Sequence, residues 1–266
     1  MEAVVERYVN YLYLAKEDPN VNYLQRLIQH HLLRVPYETV SKFHFFLHED
    51  QRVPSLEQFI EQLCHKQWGG TCFTLNINFA RLLKELGFET DFVRVHPGHL
   101  GLMVKVAGKR FYVDVGYGAP IMKPVELEQK KRHVLHGFGE EIIFTQKDFA
   151  QFEIDRRSNG KSFVKKLIDW TPLSQNEMDV DIQRSYEDKP DNPNMRRITA
   201  VKFQGNTCFY LRNQTLKVMT YRNLREYEMR SYQKWRDTVQ QVYGFHDRPL
   251  EEAVEFLQDR GVSLFN

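Results

Sequence analysis

The chain has 266 residues, 42% of them hydrophobic and 13% aromatic, which is enough apolar material for one large core or two to three modest ones. Its 37 Lys plus Arg against 35 Asp plus Glu leave a net charge of +2 with both signs interspersed, so nucleic acid is excluded as main partner while a small anionic ligand is not. Cys64, Cys72 and Cys208 form no Cys-X-X-Cys pair, and neither a signal-peptide core nor a run of roughly eighteen apolar residues is present; free thiols, a cytoplasmic location and no membrane span are expected.

The first third has helical period. Val4, Val5, Tyr8, Val9 and Leu12 form one stripe, and Tyr23, Leu24, Leu27, Ile28, His31 and Leu32 a second that ends at Val35-Pro36. Ser55 with Gln58 has capping-box form ahead of Leu56, Phe59, Ile60, Leu63 and Cys64, which predicts a helix with Cys64 on its buried stripe. After Gly69-Gly70, a fourth stripe runs Cys72, Leu75, Phe79, Leu82, Leu83, Leu86, with Gly87 as carboxy-terminal cap.

From residue 88 the period becomes two. FETDFVRV is a strand; Leu100, Leu102, Val104 and Val106 alternate up to Ala107-Gly108, and Phe111, Val113 and Val115 resume the pattern, which predicts a hairpin. Strands follow in EEIIFTQ, AQFEID and KSFVKKLI, EDKPDNPNM reads as a loop, RITAVKFQ, TCFYLRNQ and LKVMTYR as strands, and YEMRSYQKWRDTVQQVYGF and LEEAVEFLQDRG as closing helices. The whole predicts an α+β protein in three parts, at 1–87, 88–190 and 191–266.

Cys72 sits where a helix begins, and the partial positive charge of a helix amino terminus lowers a thiol pKa. Free cysteine is also among the most buried residue types, so this position alone leaves packing and nucleophilic roles both open. A nucleophilic thiol needs a base and an acceptor to orient it. The hairpin offers His99 and Asp114, both on the face opposite its aliphatic set. If Ala107-Gly108 is a two-residue loop, His99 faces Gly116 and Asp114 is its diagonal neighbour; a bulge would shift this pairing.

The ten histidines, at 30, 31, 44, 48, 65, 96, 99, 133, 136 and 246, do not form a His-Glu-X-X-His or Cys/His zinc pattern, so no metal is expected. Gly116-Tyr117-Gly118 is only a fragment of a nucleotide-type glycine motif and opens no clear helix.

In order, VPYETV, WGGTCFTLN, His99 and, fifteen positions on, DVGYG resemble the arylamine N-acetyltransferases, whose pattern runs Val-Pro-Phe-Glu-Asn-Leu, Arg-Gly-Gly-X-Cys, a His before a Leu-rich strand, and Asp-X-Gly-Phe-Gly. The resemblance covers residues 20 to 125, and QKWRDTVQQVYGF is similar to the family's last helix. It implies an amino-terminal helical bundle, a central β-barrel and a carboxy-terminal α/β lid around a cysteine-protease-like Cys-His-Asp core. It further implies acetyl-coenzyme A as co-substrate, no metal, and an arylamine or arylhydrazine acceptor, with O-acetylation of N-hydroxyarylamines and xenobiotic metabolism as family traits. Transfer would run ping-pong through an acetyl-cysteine, with Cys72, His99 and Asp114 catalytic and Tyr37, Val95, His96, Gly98 and Tyr117 bordering substrate or cofactor. A monomer or homodimer, without membrane or nucleic-acid partners, is expected.

The sequence departs from that pattern at Trp68, where the family has the arginine that pairs with the glutamate matching Glu38; an Arg or Lys nearby, or exposure, is expected for Glu38 instead. Tyr37 and Tyr117 replace phenylalanines. Two further readings remain: a cysteine hydrolase or transglutaminase-like acyl transfer with the same triad, and an inactive scaffold. Papain-like proteases place His more than about a hundred residues after Cys, whereas here 99 − 72 gives 27.

Overall fold

The computed structural model describes residues 2–48 and 52–265. Helices α1 (Glu2–Tyr11), α2 (Val21–Arg34), α3 (Val40–His48), α4 (Leu56–Lys66) and α5 (Cys72–Glu85) come first. Asn20 caps α2 by accepting from the Tyr23 amide, and Ser55 with Gln58 closes the expected capping box on α4. Their stripes meet in one core where Tyr8, Leu27, Phe59 and Phe79 pack with Leu102, Val104, Phe111 and Val113 of the hairpin.

Two details differ from expectation. Cys64 is exposed. The stripe of α4 is centred on Leu56, Phe59, Ile60 and Leu63, and at 100° per residue Cys64 lies roughly a quarter turn away from that centre. Helix α3 is not foreseen because it is buried on several sides, Ser41 and Lys42 included, which blurs its amphipathic period.

The β segment is a seven-stranded antiparallel sheet of β2 (Glu89–His96), β3 (His99–Val106), β4 (Lys109–Val113), β5 (Arg132–Gly137), β6 (Glu140–Gln146), β7 (Gln151–Ser158) and β8 (Lys161–Asp169), ordered β4-β3-β2-β8-β7-β6-β5. It is a curled half-barrel, with β4 and β5 as its two edges. Its second face holds another core, built from Val93, Val95, Met103, Tyr112, Phe144 and Trp170. Helix α6 (Gln175–Ser185) follows, with a Ser174–Glu177 capping box as a readable start signal. Only Met178 of it is buried, so no apolar stripe announces it.

The second sheet runs β1-β9-β10-β11-β12. Here β1 is Tyr37–Glu38, and β9 (Thr199–Gln204), β10 (Thr207–Arg212), β11 (Thr215–Met219) and β12 (Leu224–Glu228) are meander neighbours. Tyr37 pairs with Val201 and Glu38 with Ala200, so the segment between α2 and α3 is stitched to the carboxy-terminal sheet. Helix α7 (Tyr232–Tyr243) starts at the Ser231 cap, later than expected, because Tyr227 and Glu228 finish the exposed edge strand β12. Helix α8 (Asp247–Gln258) packs on α3, with Phe43 and Phe256 stacked at 4.4 Å. Among the described residues, no helix is long and apolar enough to cross a membrane.

Candidate active site

Gly69 explains how the chain reaches Cys72. A Cβ there would lie 1.8 Å from the Pro36 carbonyl oxygen, so only glycine lets the segment cross the end of α2. One residue on, the Gly70 carbonyl accepts from the Glu38 amide at 3.0 Å. Helix α5 then begins at Cys72, and the side chain of its N-cap, Thr71, makes no capping bond. The helix-start amides and the positive end of the dipole are therefore not neutralised beside the sulfur.

The hairpin has the two-residue turn. Ala107 and Gly108 both take positive φ, at 52° and 72°, and Val106 pairs with Lys109 through to Leu102 with Val113. Continued by one pair, this register makes Asp114 the diagonal neighbour of His99. The two side chains meet: His99 Nε2 donates to Asp114 Oδ2 at 2.7 Å, both groups buried. The same imidazole acts on the Cys72 thiol through its charge and a hydrogen bond.

Asp114 is fully buried, yet four donors serve it: His99, the Tyr112 hydroxyl at 2.6 Å, Asn76 Nδ2 at 2.9 Å and the Gly116 amide at 3.0 Å. Burial by itself raises this carboxyl; the His99 charge and these hydrogen bonds more than offset it and hold it below the usual range. Burial lowers His99, but Asp114 and Cys72 together push it up to about 9. Burial raises the Cys72 thiol, whereas the charge and hydrogen bond of His99, then Lys42 and Lys166, bring it below its ordinary value. A thiolate facing an imidazolium is the state these shifts favour.

Asn76 was not anticipated. It sits one helical turn beyond Cys72, binds Asp114 and the Leu100 carbonyl, and accepts from the Val115 amide at 3.0 Å, so α5 is tied to both hairpin strands. Its signal is an asparagine within the stretch TLNINF, a signal that Asn78 shares. Gly116 completes the approach: a Cβ there would stand 2.7 Å from Cys72 Cα. Tyr112 and Lys42 also escaped the sequence reading. Lys42 lies buried on α3, donates to Ser185 Oγ at 3.2 Å, and burial lowers it to about 7.

Cys72 and His99 open on a cavity of about 1350 Å³. Tyr37, His96, Gly98 and Tyr117 line it; Val95 does not, because although it pairs with His99 and shares its face, it is fully buried in the half-barrel core. The Tyr117 ring stands 4.8 Å from that of His99. Arg156 braces its loop, donating to the Tyr117 and Gly118 carbonyls while paired through two nitrogens with Glu140. The walls carry nine Lys and Arg against four Asp and Glu. Among the described residues, Lys161, Lys166, Arg197 and Arg212 have no carboxylate partner, and the Arg197 Nε is buried without any partner. The cavity is thus electropositive although the chain is nearly neutral.

A sequence model of a family described as N-acetyltransferase matches residues 20–248 of this chain. The chain belongs to the arylamine N-acetyltransferase family. The arylamine N-acetyltransferase pineal gland isozyme NAT-10 of Gallus gallus is 28% identical to it over 130 residues, 43% of each protein. The chain thus aligns with less than half the length of that curated relative. The arylamine N-acetyltransferase of Salmonella typhimurium shares the fold at 18% identity, with a TM-score of 0.80 and coverage of 97% of this chain and 99% of that one. An arylamine N-acetyltransferase of Bacillus cereus, described as having a unique Cys-His-Glu catalytic triad, is alike at 15% identity and TM-score 0.74, covering 93% and 100%.

Against the arylamine N-acetyltransferase pattern, the structure answers what replaces the arginine at Trp68. Glu38 is not exposed, and among the described residues it has no cation partner. It is fully buried, and its carboxylate accepts from the Ser41 amide at 2.8 Å and from the Ser41 hydroxyl, in the first turn of α3. Burial raises this carboxyl, and the Ser41 bonds followed by the Gly70 and Val40 amides oppose the rise. A helix amino terminus does the work of a cation here. Trp68 is buried with Val40 and Phe43, and among the described residues its Nε1 has no partner.

Proposed function

We propose that this protein transfers the acetyl group of acetyl-coenzyme A to the nitrogen of an arylamine or arylhydrazine, with Cys72, His99 and Asp114 as its catalytic residues. The Cys72 thiolate attacks the thioester carbonyl, the bond from that carbon to the coenzyme A sulfur breaks, and the departing thiolate takes the proton of the His99 imidazolium. The amine then attacks acetyl-Cys72, His99 accepts its proton, and the Cys72 thiolate leaves. Asp114 holds the His99 ring in place throughout and stabilises its protonated form before the first step and after the second. The uncapped amides at the start of α5 are suited to bind the oxyanion formed in both steps.

The observation that carries this reading is the buried thiol hydrogen-bonded to a histidine that is itself bound to a fully satisfied aspartate, at the wall of an electropositive cavity. The unpaired cations suit the phosphates of coenzyme A. Tyr37 and Tyr117 offer aromatic surface for a flat acceptor. We take residues 1–87 as the part bearing the nucleophile, 88–190 as the part bearing the base and 191–266 as a lid, whose Tyr210, Arg212, Lys217 and Met219 reach the cavity.

Mixing the protein with acetyl-coenzyme A and no amine should add about 42 Da, acetyl replacing hydrogen, to the Cys72 peptide, with one coenzyme A released per chain. Absence of that adduct overturns the mechanism. Continuous consumption of acetyl-coenzyme A without amine would instead mark a hydrolase.

A further inference from the structure

We propose that His44, His48 and Glu252 form a site for a divalent transition-metal ion, Zn²⁺ by the chemistry of its donors, that ties α3 to α8. None of the three lines the catalytic cavity. His44 and His48 lack the His-Glu-X-X-His pattern, but they are four residues apart on one helix, the spacing that puts two imidazoles on the same face. The opposite helix brings the third group between them. Glu252 Oε2 is 3.1 Å from His44 Nδ1 and 3.7 Å from His48 Nε2, and all three donor atoms lie within 4.8 Å of one another.

With metal–ligand bonds of about 2.0–2.1 Å at tetrahedral angles, donor atoms around zinc stand roughly 3.3 Å apart. The present triangle reaches that geometry by small side-chain rotations, because the backbones behind it are already fixed. Phe256 of α8 stacks on Phe43 at 4.4 Å and meets Phe46 edge-on at 5.7 Å, while the His44 ring packs against Trp68 at 4.9 Å. Arg248 Nε engages the other oxygen of Glu252, Oε1, at 3.3 Å, which orients the carboxylate and leaves Oε2 toward the imidazoles. Two imidazoles and one carboxylate suit zinc, cobalt or nickel rather than the oxygen-seeking magnesium and calcium. His48 is half exposed, so a fourth position is open to water.

The test is calorimetric titration of ZnCl₂ into the full chain, alongside His48→Ala, Glu252→Gln and Cys72→Ala. We expect one ion per chain, affinity lowered about tenfold or more in His48→Ala and Glu252→Gln, and Cys72→Ala binding like the unaltered protein. Far-ultraviolet circular dichroism of each metal-free variant checks that it is folded; Glu252→Gln keeps the shape of the site if His48→Ala does not fold. The site is overturned by absence of zinc binding, by affinity unchanged in the two site variants, or by binding lost in Cys72→Ala, which would put the ion on the thiolate.

Discussion

Cys72 and Cys208 are equally lost to solvent, and their proton affinities diverge. Cys208 faces the core from β10, where burial pushes its thiol up and Glu140 adds to the rise against Arg156. Cys72 suffers the same burial but meets the His99 charge and hydrogen bond, with Lys42 and Lys166 beyond, and falls below the ordinary thiol. Burial therefore does not separate a structural cysteine from a reactive one. The separation comes from a charged partner that is itself held: His99 by Asp114, and Asp114 by Tyr112, Asn76 and Gly116.

The largest break in this contrast is expected from Asp114→Asn. It keeps the shape but removes the charge that holds the His99 proton, so acetyl transfer to an arylamine should drop on the order of 10³–10⁴-fold. Steady-state turnover checks this; a loss of under about tenfold would show that Asp114 only packs. Asn76→Ala acts one step further out. It strips Asp114 of a donor and leaves the Leu100 carbonyl and Val115 amide unmatched, so about 1–3 kcal/mol of stability should go. A fall of roughly 10–100-fold in kcat, with KM for the acceptor little changed, is expected alongside, and a raised KM with kcat unchanged would assign Asn76 to substrate binding.

The pH profile sharpens the same contrast. His99 is raised from its ordinary value to about 9, so it keeps its proton through neutral pH and loses it as pH rises past about 9. Because that proton goes to the leaving coenzyme A thiolate, kcat/KM for acetyl-coenzyme A should decline above about pH 9, up to tenfold per unit. A decline centred near the ordinary histidine value would mean that His99 is not raised. Iodoacetamide at neutral pH should label Cys72 far faster than Cys208, and Cys208→Ala should leave transfer rates within about twofold.

Much of this site was legible because each part obeys a local rule. A helix start after two glycines marks Cys72, and period-two alternation with a two-residue turn puts His99 and Asp114 on one face. What was not legible depends on which distant elements meet. Asn76 is one of two asparagines in the stretch TLNINF, and its partners are set only when the hairpin docks on α5. Helix α3 hides its period because it is buried on several sides, and β12 is wholly exposed and so shows no alternation. Val95 illustrates the opposite error: it is two residues from the cavity-lining Pro97 and pairs with His99, yet its side chain is fully buried in the half-barrel core and does not reach the cavity.

The smallest effect is expected at Trp68, where the family resemblance suggested the greatest concern. Glu38 already has the Ser41 amide and hydroxyl, so nothing in its bonding waits on residue 68. Trp68→Phe removes an indole N–H that is buried without a partner, a gain of about 1–3 kcal/mol, and opens a small void beside Val40 and Phe43 at a comparable loss. The two offset, and denaturant unfolding should move by no more than about 1 kcal/mol with Cys72 alkylation unchanged. Glu38→Ala should do far more harm, because it strands the Ser41 donors at the buried start of α3 just where the chain crosses Gly70. If Trp68→Phe instead proved the more damaging of the two, the loop before Cys72 would be braced by the indole, and the helix start at Ser41 would not be what replaces the arginine.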